Sequence, residues 1–145
     1  MQKEIRQSWF FQQSPEIDWE YLTVPSLIEQ WLGKTDFQPI QGHRFRFISP
    51  NGNHANCEVL EVKPYSRLAY SWEKKSGRDN QRYHSKVEWT LRPGETENYR
   101  NGTELQLVHN GFIASEDVTG HDNGWNACLR QMKELLPVTA KQING

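Results

Sequence analysis

Near the end of the chain, apolar and ring-bearing residues recur every three or four positions. Val118, His121, Trp125, Cys128, Met132 and Leu135 form the stripe, and Leu129 and Leu136 widen it. That period predicts one long α-helix with a single buried side. Most of the chain before it alternates with period two, the signature of half-buried strands. Residues 5–12 place Ile5, Gln7, Trp9 and Phe11 on one face. Residues 43–49 set Phe45 and Phe47 against Arg44 and Arg46, and residues 54–63 align Ala55, Cys57 and Val59. Residues 67–74 align Leu68, Tyr70 and Trp72, residues 83–92 align Tyr83, Val87, Trp89 and Leu91, and residues 103–109 align Leu105, Leu107 and His109.

Two short helices interrupt the strands. Ser14-Pro15 is a helix start: serine suits the N-cap, and proline at the first helical position gives up no needed hydrogen bond. Glu16 and Asp18 then favour the positive end of the helix dipole. Pro25 opens a second helix with the stripe Leu27, Ile28, Trp31 and Leu32, which Gly33 closes. Pro50-Asn51-Gly52-Asn53 reads as a hairpin turn. Polar loops follow at 74–82 and 93–101. The order is therefore strand, two short helices, five strands and a long helix. This predicts an α+β fold with a six-stranded antiparallel sheet, wet on one face and covered on the other by the C-terminal helix. An enclosed space between sheet and helix follows.

Composition narrows the function classes. The 145 residues read as one domain, 1–145, with no internal repeat or linker. A net charge of -1 argues against a dedicated binder of nucleic acid or of anionic membranes. No apolar run reaches membrane-spanning length, and the first residues, with Lys3, Glu4 and Arg6, lack a signal-peptide core. Two cysteines are too few for a disulfide scaffold, so the expected location is cytoplasmic. Asn101-Gly102-Thr103 is then a turn rather than a glycosylation acceptor. Six Trp, five Tyr and six Phe supply abundant aromatic surface.

Order and residues together resemble the START-like (SRPBCC, helix-grip) superfamily, to which the birch-pollen allergen also belongs. Within it, the chain is similar to the family named after the activator of the ninety-kilodalton heat-shock-protein ATPase. The segments that carry the likeness are SPEIDWEYLTVPSLIEQWL at 14–32, GHRFRF at 42–47, EVLEVKPYSRLAYSW at 58–72, VEWTL at 87–91, GTELQLVHNGF at 102–112 and HDNGWNACLRQMKELL at 121–136. The resemblance implies a curved antiparallel sheet gripping the long helix around an apolar cavity. Related families bind lipids, steroids, polyketides and plant hormones, and some are cyclases. The resemblance also implies a heat-shock chaperone as an alternative partner, with a role in stress response. The best-known activators carry an additional N-terminal domain that contacts the chaperone; this chain has no room for it.

Residues that could carry chemistry are few. His109 shares the inward face of its strand with Leu105 and Leu107, and His121 lies on the helix stripe. Both rings can bind a ligand's polar group or move a proton; both can equally be packing residues bonded to backbone. The five histidines lack zinc-motif spacing, and no nucleophile elbow, phosphate loop or dinucleotide fingerprint occurs. No metal and no cofactor is therefore expected. Cys57 and Cys128 read as small core residues, and Lys74, Lys75, Arg78 and Arg82 as a solvated hairpin. The leading expectation is non-catalytic binding of a small hydrophobic or aromatic ligand by a monomer or weak dimer. The ligand-binding residues expected are Phe45, Phe47, Tyr70, Trp72, Trp89, His109, His121 and Trp125. The alternatives are a chaperone-interacting module and a cyclase or hydrolase with His109 as base. A dry cavity of about 300 Å³ would cost about 7 kcal/mol at roughly 24 cal/mol per Å³, close to the whole stability of a domain. A large cavity must therefore be occupied, wet or filled by aromatic rings.

Overall fold

A computed structural model describes residues 3–75, 82–95 and 102–144, the side chains of residues 75, 83 and 137–144 excepted. The first strand, β1 (Lys3–Phe11), is followed by α1 (Pro15–Thr23) and α2 (Pro25–Ile28). Six strands come next: β2 (Lys34–Thr35), β3 (Arg44–Ile48), β4 (His54–Lys63), β5 (Arg67–Lys75), β6 (Arg82–Gly94) and β7 (Gly102–Phe112). The long helix α3 (Ser115–Asn144) ends the chain. All seven strands form one curved antiparallel sheet in the order β1-β7-β6-β5-β4-β3-β2. The first strand thus closes one edge by pairing with the last, and α1 and α2 carry the chain to the opposite edge. A bulge between Val59 and Glu61 in β4 adds curvature.

The strand count is seven, not the six expected. The extra strand is the two-residue β2, whose Lys34 and Thr35 pair with Ile48 and Phe47. Two residues are too short for an alternation to register in sequence. The second helix is also shorter than its stripe predicts. Its regular part stops at Ile28, and turns carry the chain to Gly33 while still burying Trp31. Gly33 has a packing role beyond closing a helix. A β-carbon there would lie 2.6 Å from the Ile48 carbonyl oxygen, so only glycine lets the chain pass this close to β3.

The alternating faces are in place. Phe45, Phe47, Ala55, Cys57, Val59, Leu68, Tyr70, Trp72, Val87, Trp89, Leu91, Leu105, Leu107 and His109 are all buried on the concave side. Tyr83 of the same pattern lies outside the described side chains. Helix α3 is seated slightly differently from its sequence stripe. Trp125, Leu129, Met132 and Leu136 are fully buried, whereas Val118, His121, Cys128 and Leu135 flank them half-buried.

Asp18 is 0% exposed, and neither carboxylate oxygen has a hydrogen-bond partner. Burial pushes its carboxyl up to about 8, so it stays protonated at neutral pH and adds no charge to the helix dipole, contrary to the sequence expectation. The folded form keeps a proton that the unfolded form releases above its ordinary value of 3.8. Stability therefore falls as pH rises from about 4 to about 8, by at most about 1.4 kcal/mol per pH unit. Asp18→Asn cannot release that proton. Urea unfolding should show the variant gaining on the wild type steadily from pH 4.5 to 7.5; parallel stability curves would refute the buried acid.

Candidate functional site

Helix α3 packs over β1 and β7, at one side of the concave face. Its 117–128 flank meets β5 at Trp72, through His121 and Trp125, and overhangs β3 and β4. The space between is an open cleft of about 790 Å³. Its apolar surface comes from Phe47, Ala55, Trp72, Trp125, Cys128 and Leu32. Lys74, Asp117 and His121 stand among its polar lining, with Ser49, Asn53, His54 and Asn56 from the β3–β4 hairpin region. The helix also contributes Gly120 and Gly124, one turn apart. A β-carbon built on either meets no atom within 4 Å, so bare helix backbone faces the cleft.

Below the cleft the aromatic rings fill the core. Phe45 and Tyr70 are 5.3 Å apart, Phe47 and Trp72 5.6 Å, Trp72 and Trp125 5.4 Å, and Trp89 and Trp125 5.4 Å between ring centroids. Most are edge-to-face or tilted, the arrangements favoured by ring quadrupoles. The buried indole of Trp89 donates to the Tyr70 hydroxyl at 2.9 Å, and burial pushes the Tyr70 phenol up.

His109 is wholly buried in this layer. Trp125 Nε1 donates to its Nδ1 at 3.0 Å, so the ring proton resides on Nε2. Nε2 in turn donates to Ser85 Oγ at 2.8 Å, and that hydroxyl donates to the Trp72 carbonyl at 2.9 Å. Burial, aided by repulsion from His121, pushes the imidazole down to about 2, so it is neutral in the folded protein. His121 takes the opposite tautomer. Its Nε2 accepts from Trp72 Nε1 at 3.3 Å, and its Nδ1 donates to the Asp117 carbonyl at 2.9 Å. Burial pulls it down as well, against the hydrogen bond to Asp117. Burial also pushes the Cys57 and Cys128 thiols up, which disfavours the reactive thiolate. Among the described residues no group of three or more His, Cys, Asp or Glu is placed to hold a metal ion. No described helix is long and apolar enough to cross a membrane.

The family profile described as Activator of Hsp90 ATPase homolog 1-like protein matches residues 12–137. The chain belongs to this family. Its fold is the helix-grip arrangement of the SRPBCC superfamily. No curated protein sequence matches the chain. Among solved structures, protein MLL2253 from Mesorhizobium loti is 33% identical, with a TM-score of 0.82 over 94% of this chain and 98% of that one. DynU16, a protein in the dynemicin biosynthetic locus, is 21% identical, with a TM-score of 0.77 over 92% of this chain but only 47% of its own. The Aha1 dimer from Colwellia psychrerythraea is 17% identical, with a TM-score of 0.74 over 92% of this chain and 96% of that one. The last two likenesses concern the fold alone.

Within this family member, the eight residues expected at the ligand site fall into two layers. Phe47, Trp72, His121 and Trp125 line the cleft. Phe45, Tyr70, Trp89 and His109 lie in the packed core beneath and are not part of its lining. Lys74, read from sequence as part of a solvated hairpin, is half-buried in the cleft lining, and Asp117, Gly120 and Gly124 were not among the expected residues. Lys74 continues the inward alternation of Leu68, Tyr70 and Trp72, so its position was legible; its placement at a cleft was not. Arg82 lines the cleft and is paired with Glu73 at 2.6 Å. Arg78 and the Lys75 side chain lie outside the described residues.

The fixed tautomers are directly measurable. Long-range ¹⁵N–¹H spectra should show His109 as the neutral Nε2–H form with no titration between pH 5 and 8, and His121 as the Nδ1–H form at pH 7.5. A His109 resonance that titrates near 6.5 would mean that the ring is not sealed in the core.

Proposed function

We propose that the protein binds a small apolar or aromatic molecule, of lipid, sterol or polyketide type, in the cleft between α3 and strands β3–β5, and does so without catalysing a reaction on it. One observation carries this reading: an open space of about 790 Å³ with the edges of Phe47, Trp72 and Trp125 in its lining. Ligand sites of roughly 300–1,000 Å³ with an apolar lining and a few polar groups are the usual form of small-molecule binding. Because the cleft is open, water fills it when the ligand is absent, and no empty void has to be sustained. The binding role is favoured over acid–base catalysis because both ring nitrogens of His109 are engaged inside the core. The two free thiols, Cys57 and Cys128, accord with a cytoplasmic setting.

The second reading is an interaction module that acts on a heat-shock chaperone. It is supported by the description of the family. Stimulation of a purified chaperone's ATPase would favour it over the ligand reading. A monomer or weak dimer accords with both readings, and the Colwellia neighbour was solved as a dimer.

Gly124 gives the cleanest test of the cleft, since its missing side chain would enter the space without meeting another atom. Gly124→Ala should raise helix stability by about 1 kcal/mol. Gly124→Leu should fold equally well yet project a branched side chain into the cleft. Tryptophan fluorescence, reporting from Trp72 and Trp125, should saturate in the wild type with at least one member of a lipid, sterol and polyphenol panel and stay flat in Gly124→Leu. Identical titrations of the two proteins would place binding elsewhere.

A further inference from the structure

Apolar binding gives no role to Lys74, a charged group in the lining of the cleft. Lys74 follows Leu68, Tyr70 and Trp72 at alternate positions of β5, so its side chain rises on the concave side, just beyond the Trp72 ring. It is half-buried and lines the cleft. An inward-facing lysine is an expensive choice for a strand face that otherwise holds apolar side chains.

The neighbouring charges are matched differently. Glu73 is engaged by Arg82 at 2.6 Å and lies 3.4 Å from His84. Asp117, on the helix wall, acts on Lys74 through its field, but no ion pair within 4 Å and no hydrogen bond engages the Lys74 ammonium among the described residues. Burial draws that ammonium below its ordinary value while Asp117 holds it up, which describes a partly desolvated cation. His121 beside it is held as a neutral ring by Trp72 and the Asp117 carbonyl, so it adds no second positive charge. Among the described residues, the cleft thus has an aromatic floor and, at one end, an ammonium that no hydrogen bond or ion pair engages. An ammonium of this kind gains most from a carboxylate that replaces its lost water.

We propose that the ligand of this cleft is an organic acid: a flat apolar body lying along Phe47, Trp72 and Trp125, with a carboxylate that accepts a hydrogen bond from Lys74 Nζ. This rests on the ligand reading above and narrows it to one chemical class. Lys74 is then the residue that sets specificity between acids and their neutral analogues. Glu116 and Asp117, which also line the cleft, oppose negative charge on the ligand everywhere except against Lys74, so one carboxylate placed there is accommodated and a second is not.

The test uses a matched pair of fluorescent probes, 1-pyrenebutyrate and its neutral carboxamide, followed by anisotropy at pH 7.5. The cationic 1-pyrenemethylamine is a third arm. In the wild type the acid should bind about tenfold more tightly than the amide, the usual return for one charge-assisted hydrogen bond. The amine should bind most weakly. Lys74→Met, which keeps the apolar stem, should abolish the acid's advantage and leave the amide's affinity unchanged; Lys74→Gln serves as a second variant, with melting curves as the control on folding. An amide or amine that binds as tightly as the acid, or a preference that survives both substitutions, overturns the assignment of Lys74 and leaves the cleft as a binding site. Failure of all three probes to bind the wild type would overturn the ligand reading itself.

Discussion

The seating of one indole decides how the helix and the sheet fit together. Trp125 of α3 lies against Trp72 and Trp89 at 5.4 Å each and hands its only hydrogen-bond donor to His109. His109 passes a proton donor on to Ser85, and Ser85 to the Trp72 carbonyl. A short polar chain therefore runs from the helix through β7 and β6 to β5, every member buried or nearly so. Apolar packing alone would tolerate some rotation of α3 on the sheet. This chain does not, because a shift of one residue would strand several buried polar groups, each at a cost of about 1–3 kcal/mol. Leu129, Met132 and Leu136 then continue the contact along the helix.

The cleft is a consequence of that seating. With Trp125 fixed against Trp72 of β5 and α3 resting on β1 and β7, the helix cannot also cover β3 and β4. Rings fill the depth of the concave face, and solvent fills the part that the rings do not reach. The energetic conflict posed by an enclosed dry cavity is thereby removed: the aromatic residues occupy the region that would have been void, and the remaining volume opens outward. Four of the residues expected at the ligand site serve the first purpose and four line the second.

Two features depart from what local stability would select. Gly120 and Gly124 sit within a helix where alanine would be better by about 1 kcal/mol each, and neither has a close neighbour that requires the missing side chain. Asp18 is buried without a hydrogen-bond partner on a helix that links the two edges of the sheet. Such departures concentrate where sequences answer to function or strain rather than to folding alone. The glycine pair lines the cleft, which ties it to the site. Asp18 is remote from that lining, and its burial ties the protein's stability to pH.

Periodicity in the sequence was sufficient to determine the strands β1 and β3–β7, the inward face of each and the existence of a long covering helix. Burying alternate residues of a strand, or one side of a helix, leaves a linear signature that survives without coordinates. The two-residue β2 left none, and the stripe on α3 was too broad to say which of its residues would lie at the centre. Tertiary structure alone decided that Trp125 rather than His121 is central, that His109 is sealed by two hydrogen-bonded neighbours, and that Gly120 and Gly124 face open space. It also decided that Lys74 stands at the end of the aromatic floor. These facts depend on where one helix comes to rest on a curved sheet, and that position is set by contacts between residues far apart in the chain.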